Sequence, residues 1–196
     1  MTNVVVFHHV LGLTDGVEAF AQQLRDAGHE VTTPDLFDGR RFDTIEAGAA
    51  HLETIGFEQL VERGQAAVVD LPADLVVIGM SMGVICAQQL AQTRPGVLGA
   101  VLLESCLLAS HFGDGWPDDV PVQIHGMADD PFFAGEGDID NARAIVASAP
   151  NGLAELFEYP GDRHLFVDSS LASYDAEAAT LVTDRVVAFL LRHGVR

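Results

Sequence analysis

The stretch Leu75-Val76-Val77-Ile78-Gly79-Met80-Ser81-Met82-Gly83 constrains this chain more than any other. An apolar, largely β-branched run drives into a serine flanked on both sides by glycines two residues away, a spacing that reads as strand, hard turn, helix. Such a turn demands backbone angles that a residue with a β-carbon adopts only at a cost, and a side chain at 79 or 83 would crowd the crossing strand and helix. Ser81 then stands at the apex of the turn, its hydroxyl raised above the carboxyl edge of a sheet. After it, Val84, Cys86, Ala87, Leu90 and Ala91 are interleaved with Gln88, Gln89 and Gln92, as in a helix buried against that sheet.

The remaining segments alternate in the same way. Asn3 to His8 reads as a strand covered on both faces, and a helix capped by Thr14 or Asp15 runs to about Ala27, where Gly28 ends it. Glu30 to Thr33 is a short strand, and Pro34 to Arg41 a long turn. Two helical segments, Thr44 to Ile55 and Phe57 to Leu71, follow, separated by Gly56. Strands are predicted at Gly99 to Glu104, Pro121 to His125 and Leu153 to Tyr159, and helices at Ile139 to Ala149 and Ala176 to His193, with Ser105 to Val120 a loop. This order predicts an α/β fold of one domain over residues 1–196, its sheet mostly parallel with helices on both faces.

Composition narrows the function classes. Ten basic against 29 acidic residues give a net charge of -19. That charge repels phosphate backbones and anionic lipid surfaces, so neither nucleic acid nor membrane is expected as a partner. The first apolar run stops at His8, too short for a signal peptide or a span, and Cys86 and Cys106 read as buried free thiols in a reducing compartment. The expectation is a soluble, cytoplasmic protein. Its oligomeric state is left open.

A serine is a weak nucleophile until a base takes its proton, and an imidazole base needs a carboxylate to hold its tautomer. Two strand-end loops downstream of Ser81 offer these groups: Gly126-Met127-Ala128-Asp129-Asp130-Pro131 and Gly161-Asp162-Arg163-His164-Leu165-Phe166. The order Ser81, Asp129, His164 is that of the α/β-hydrolase architecture. Asp130 competes for the acid role. The Gly-x-x-Asp spacing from Gly126 favours Asp129, and a residue before proline is pushed towards extended geometry. Glu104, at the end of the preceding strand, is a third candidate, better read as polar lining of the pocket.

His8 and His9 do not suggest a metal, because adjacent strand residues point to opposite faces and no further ligand stands at zinc spacing beside them. His9 is placed near the floor of the site. Phe37, Trp116, Phe132, Phe133 and Tyr174 lie in or beside loops of the same edge and are expected to form an apolar substrate pocket. No glycine loop fits a nucleotide, and no cofactor is required.

Gly79-Met80-Ser81-Met82-Gly83, Pro34-Asp35-Leu36-Phe37, Tyr159-Pro160-Gly161-Asp162-Arg163-His164-Leu165-Phe166 and Tyr174-Asp175-Ala176-Glu177-Ala178-Ala179 together resemble the dienelactone hydrolase family of α/β-hydrolases over nearly the whole length. The resemblance implies an α/β-hydrolase fold with a minimal cap or none, and an oxyanion hole formed by the backbone N–H groups of Val10 and Met82. Familiar members carry a cysteine where this chain has Ser81. Their first-loop glutamate falls at His9, and their arginine four residues past the histidine falls at Asp168. The expected activity is cleavage of a small-molecule ester, lactone or thioester through an acyl-enzyme. The alternatives are a silent module that binds a ligand or partner in the same cleft, and acyl transfer to an acceptor other than water.

Overall fold

The computed structural model describes residues 1–150 and 152–194. Six strands form one parallel sheet: β1 (Asn3–Phe7), β2 (Glu30–Thr32), β3 (Leu75–Met80), β4 (Gly99–Leu103), β5 (Val122–Met127) and β6 (Ala154–Tyr159), in the order β2-β1-β3-β4-β5-β6. Six α-helices connect and cover them: α1 (Asp15–Asp26), α2 (Ile45–Ile55), α3 (Phe57–Ala67), α4 (Val84–Thr93), α5 (Asp138–Ser148) and α6 (Ala176–His193). This is the predicted architecture, and every neighbouring pair of strands is parallel. Among the described residues no helix is long and apolar enough to cross a membrane.

Continuous apolar strands are what a sheet covered on both faces requires, because successive side chains alternate between two cores. Val4 and Val6 of β1, Val76 and Ile78 of β3 and Val101 of β4 pack with Val17, Phe20 and Leu24 of α1 and Val182, Val186 and Phe189 of α6. Their neighbours Val5, Phe7, Val77, Ala100 and Leu102 face the other core, with Leu60 of α3, Ala87 and Leu90 of α4 and Ile145 of α5. Local signals set the helix ends. The Thr14 and Thr44 hydroxyls accept the amides of Val17 and Ala47, the usual capping bond at a helix start.

Most boundaries move by a residue or two, α3 ends at Ala67 and not at Leu71, and one further shift matters for the site. β5 does not end at His125 but continues through Gly126 and Met127, which pair with Glu158 and Tyr159 of β6. Glycine at 126 suggests a strand end by composition, but the β6 ladder carries the strand through it.

The β3–α4 junction is closely packed. Ser81 has φ 47°, and Ser81–Gly83 form a single 3-10 turn before α4. A β-carbon at Gly79 would lie 2.5 Å from the Gly83 carbonyl oxygen, and one at Gly83 would overlap the carbonyls of Phe7 and His8 at the end of β1. Gly83→Ala is therefore expected to lower the unfolding free energy by about 2–3 kcal/mol. Gly113→Ala, where no atom stands within 4 Å of the added carbon, should stay within about 0.5 kcal/mol of the parent. Urea unfolding of both variants checks the contrast.

Candidate active site

Three carboxyl-edge loops meet above the elbow. His164, in the loop after β6, places its Nε2 2.9 Å from Ser81 Oγ and its Nδ1 2.8 Å from Asp130 Oδ2. A carboxylate only accepts, so Nδ1 carries the proton towards Asp130 and Nε2 is left to accept from the serine hydroxyl. The imidazole is 7% exposed and Asp130 wholly buried. Phe132 leans on the His164 ring at a centroid distance of 4.6 Å.

The carboxylate that holds His164 is Asp130, not Asp129. Because β5 runs on to Met127, the turn that follows starts two residues later than the spacing from Gly126 suggests. Asp129 lies in the turn after β5, where its amide donates to the Gly161 carbonyl at 2.9 Å and its side chain is exposed. Asp130 folds under the turn. Its Oδ1 accepts the amides of Phe132 and Phe133 at 2.8 and 3.3 Å, while Oδ2 faces the imidazole. One carboxylate thus fixes both the turn and the histidine tautomer. The proline after Asp130 restricts that residue without excluding it.

Glu104 ends β4 with φ 65° and is buried in the wall of the same cavity, its Oε1 3.4 Å from the Val167 amide of the His164 loop. Burial pushes its carboxyl up to about 7; the neighbouring His164 opposes that rise and Asp130 adds to it. For His164, burial acts to lower the pKa. The Asp130 hydrogen bond and the charges of Glu104, Asp130 and Glu136 outweigh it, so the imidazole titrates above the ordinary histidine value. Ser81, Glu104 and Leu165 are three of the four described non-glycine residues with positive φ, so backbone strain gathers where the site is built.

The residues expected to form the oxyanion hole flank the serine. Val10 and Met82 both line the cavity. Met82 opens the turn into α4, where the first N–H groups lack partners within the helix, and no described residue accepts the Val10 amide.

The cavity, about 420 Å³, is not the one the aromatic residues outlined. Of the expected set, Phe132 lines it. Phe37 is buried edge-on against His8, Phe42 and His51, and Phe133 is buried in the core beside α5. Trp116 donates its indole N–H to the Val120 carbonyl, and Tyr174 sits in the loop whose carbonyl receives Arg163. Aromatic type marks apolar demand without saying whether it is met by core or by cleft. The wall is instead aliphatic, with Ile45, Ala49 and Leu52 of α2 facing Ile85 and Leu107. Their i, i+4, i+7 spacing was the signal available in the sequence.

His9 is also displaced from the pocket floor. It is buried, accepts the Leu11 amide on Nδ1 and donates Nε2–H to Asp168 Oδ2 at 2.8 Å. Thr14 and Ser170 complete the Asp168 shell, the Ser170 hydroxyl at 2.6 Å and its amide at 2.8 Å. The pair locks the Val10 loop to the loop that carries His164. His8 accepts the Leu36 amide and donates to the His9 carbonyl; burial pushes its pKa down to about 4. Cys86 and Cys106 are buried free thiols, both raised by burial, Cys86 to about 12.

A parallel sheet with a serine at the β3–α4 elbow, a carboxylate after β5 and a histidine after β6 defines an α/β hydrolase. The sequence matches the dienelactone hydrolase family over residues 1–194, and the chain belongs to that family of hydrolases. No curated protein matches it. Among solved structures it is similar to a dienelactone hydrolase-like promiscuous phosphotriesterase from metagenomic libraries, at 18% identity and TM-score 0.75 over 100% of this chain and 87% of that one. Dienelactone hydrolase from Anabaena variabilis aligns at 18% identity and TM-score 0.69, covering 99% and 88%. Thermogutta terrifontis esterase 2, phosphonylated by cyclosarin, aligns at 15% and 0.67, covering 97% and 82%.

Burial opposes ionisation of Asp168, but the hydrogen bonds from His9, Ser170 and Thr14 win and hold its carboxyl at about 2. A depressed carboxylate contributes stability above its unfolded pKa and loses it as pH falls through the folded one. Asp168→Ala, which strands a buried imidazole N–H and a hydroxyl, should cost about 3 kcal/mol at pH 7. That deficit should shrink as the pH of denaturant titrations is lowered from 5 towards about 2, where the wild type itself loses the contribution.

Proposed function

We propose that the protein is a serine hydrolase that cleaves a small-molecule carboxylic ester, lactone or thioester through an acyl-enzyme. The observation that carries this reading is the continuous hydrogen-bond chain Ser81–His164–Asp130 at 2.9 and 2.8 Å. Ser81 Oγ attacks the carbonyl carbon as its proton passes to His164 Nε2, and Asp130 stabilises the imidazolium that forms. The carbonyl oxygen, now negative, is received by the amides of Val10 and Met82, each contributing roughly 3 kcal/mol when aimed at the developing charge. Collapse breaks the bond to the leaving group, which takes the proton from His164. Water then attacks the acyl carbon with His164 as base and releases the acid. The strained backbone at Ser81 supports the same assignment, because strain of this kind gathers at functional sites.

A fluorophosphonate probe should label Ser81 and fail on Ser81→Ala, read by intact-protein mass. A native protein that never labels would reduce the cleft to a binding site. Asp130→Ala should lower kcat about 10⁴-fold, while Asp129→Ala leaves it near the parent value; the reverse order would return the acid role to Asp129. Product analysis with competing alcohols separates hydrolysis from acyl transfer.

The pH dependence has a defined sign. His164 acts as base only when neutral, so kcat/KM should rise with pH through an acid limb lying above the ordinary histidine value. Removing the Glu104 charge removes one contribution that raises the His164 pKa, so Glu104→Gln should move this limb to lower pH in a rate profile.

A further inference from the structure

Resting on that reading, the cavity also says what the ester carries. In the transition state the leaving-group oxygen must face His164 Nε2 to take its proton. The leaving group therefore lies on the Phe132 and Glu136 side, where the phenyl ring packs on the imidazole and the Glu136 charge acts on it. The acyl group points the other way, past Val10 and Met82, along Ile45, Ala49 and Leu52 of α2. That wall is fixed closely to the oxyanion loop, since a β-carbon at Gly48 would overlap the Val10 carbonyl.

Apart from the His164 imidazole, the titratable side chains that line the cavity are acidic. Glu104, Glu136 and Asp138 line it, and none of the arginines among the described residues does. The chain has no lysine, so its ten cations are all arginines. Arg163, next to His164 in sequence, is turned away to the Tyr174 carbonyl and towards Asp175. Asp138 is held by the Ser105 hydroxyl at 2.6 Å and the Cys106 amide at 3.0 Å, and no described cation pairs with Glu136.

We infer that the substrate is an ester with an uncharged apolar acyl group lying along α2 and a leaving group free of negative charge, and that carboxylate-bearing esters are excluded. The half-buried α2 wall of the cleft is aliphatic, where apolar contact drives binding. A carboxylate placed there would lose its water and meet like charges without a cation to receive it.

The test is a comparison of kcat/KM for p-nitrophenyl butanoate and p-nitrophenyl hemisuccinate, made in about 0.5 M salt so that the long-range field of the net charge is screened. Active sites are first titrated with the fluorophosphonate. Butanoate is expected to be faster by at least about tenfold, and ethyl butanoate faster than the butanoyl ester of glycolate, whose leaving group is anionic. Glu136→Gln, an exposed change, should narrow the second gap. Ala49→Phe should lower the octanoate-to-acetate ratio by about tenfold; if it fails to fold, Leu52→Phe is read in the same way. Equal or faster turnover of the hemisuccinate, or an acyl-length profile that ignores both α2 variants, overturns the inference while a labelled Ser81 leaves the hydrolase reading standing. Failure of Ser81 to label overturns both.

Discussion

Much of this structure depends on the close approach of the β3–α4 turn to the end of β1. Gly83 lies against the carbonyls of Phe7 and His8 with no room for a carbon between them, and the same backbone sets Ser81 at φ 47°. Interiors packed this tightly transmit small displacements. The position of the Ser81 backbone is thus set by the spacing of two central strands. Loops from β1, β5 and β6 then need only converge on a point that the sheet has already fixed.

That convergence is economical in groups. Asp130 closes its own turn with one oxygen and holds His164 with the other, so the turn cannot loosen without freeing the imidazole. Glu104 ties β4 to the Val167 amide and lines the cavity. Both are buried carboxylates: Asp130 is held by two backbone amides and the imidazole, whereas burial raises the Glu104 carboxyl to about 7.

Much of this was legible from residue order. Period, caps and glycines located the six strands and six helices, since the central strands β1, β3 and β4 are nearly continuous apolar runs and the segments between them carry helix signals. Ser81 and His164 were legible because a strained elbow and a strand-end loop leave local marks. The choice of Asp130 over Asp129 was not, because it depends on β6 pairing with Gly126 and Met127, a contact between segments about thirty residues apart. The pocket lining was not legible either. Phe37 and Phe133 are as apolar as any cleft residue, and only tertiary packing decides that they are core while Ile45 and Leu52 of α2 face the cavity.

The bond between His9 and Asp168 joins residues 159 positions apart. Its geometry ties the loop that presents the Val10 amide to the loop that presents His164, so local hydrogen bonds are not all that holds either in place. A nascent chain emerging from the ribosome can have formed β1, the elbow and most of the sheet while both loops still lack their anchor. The cleft is therefore completed only after the Asp168 segment has been made, later than the elbow that carries Ser81.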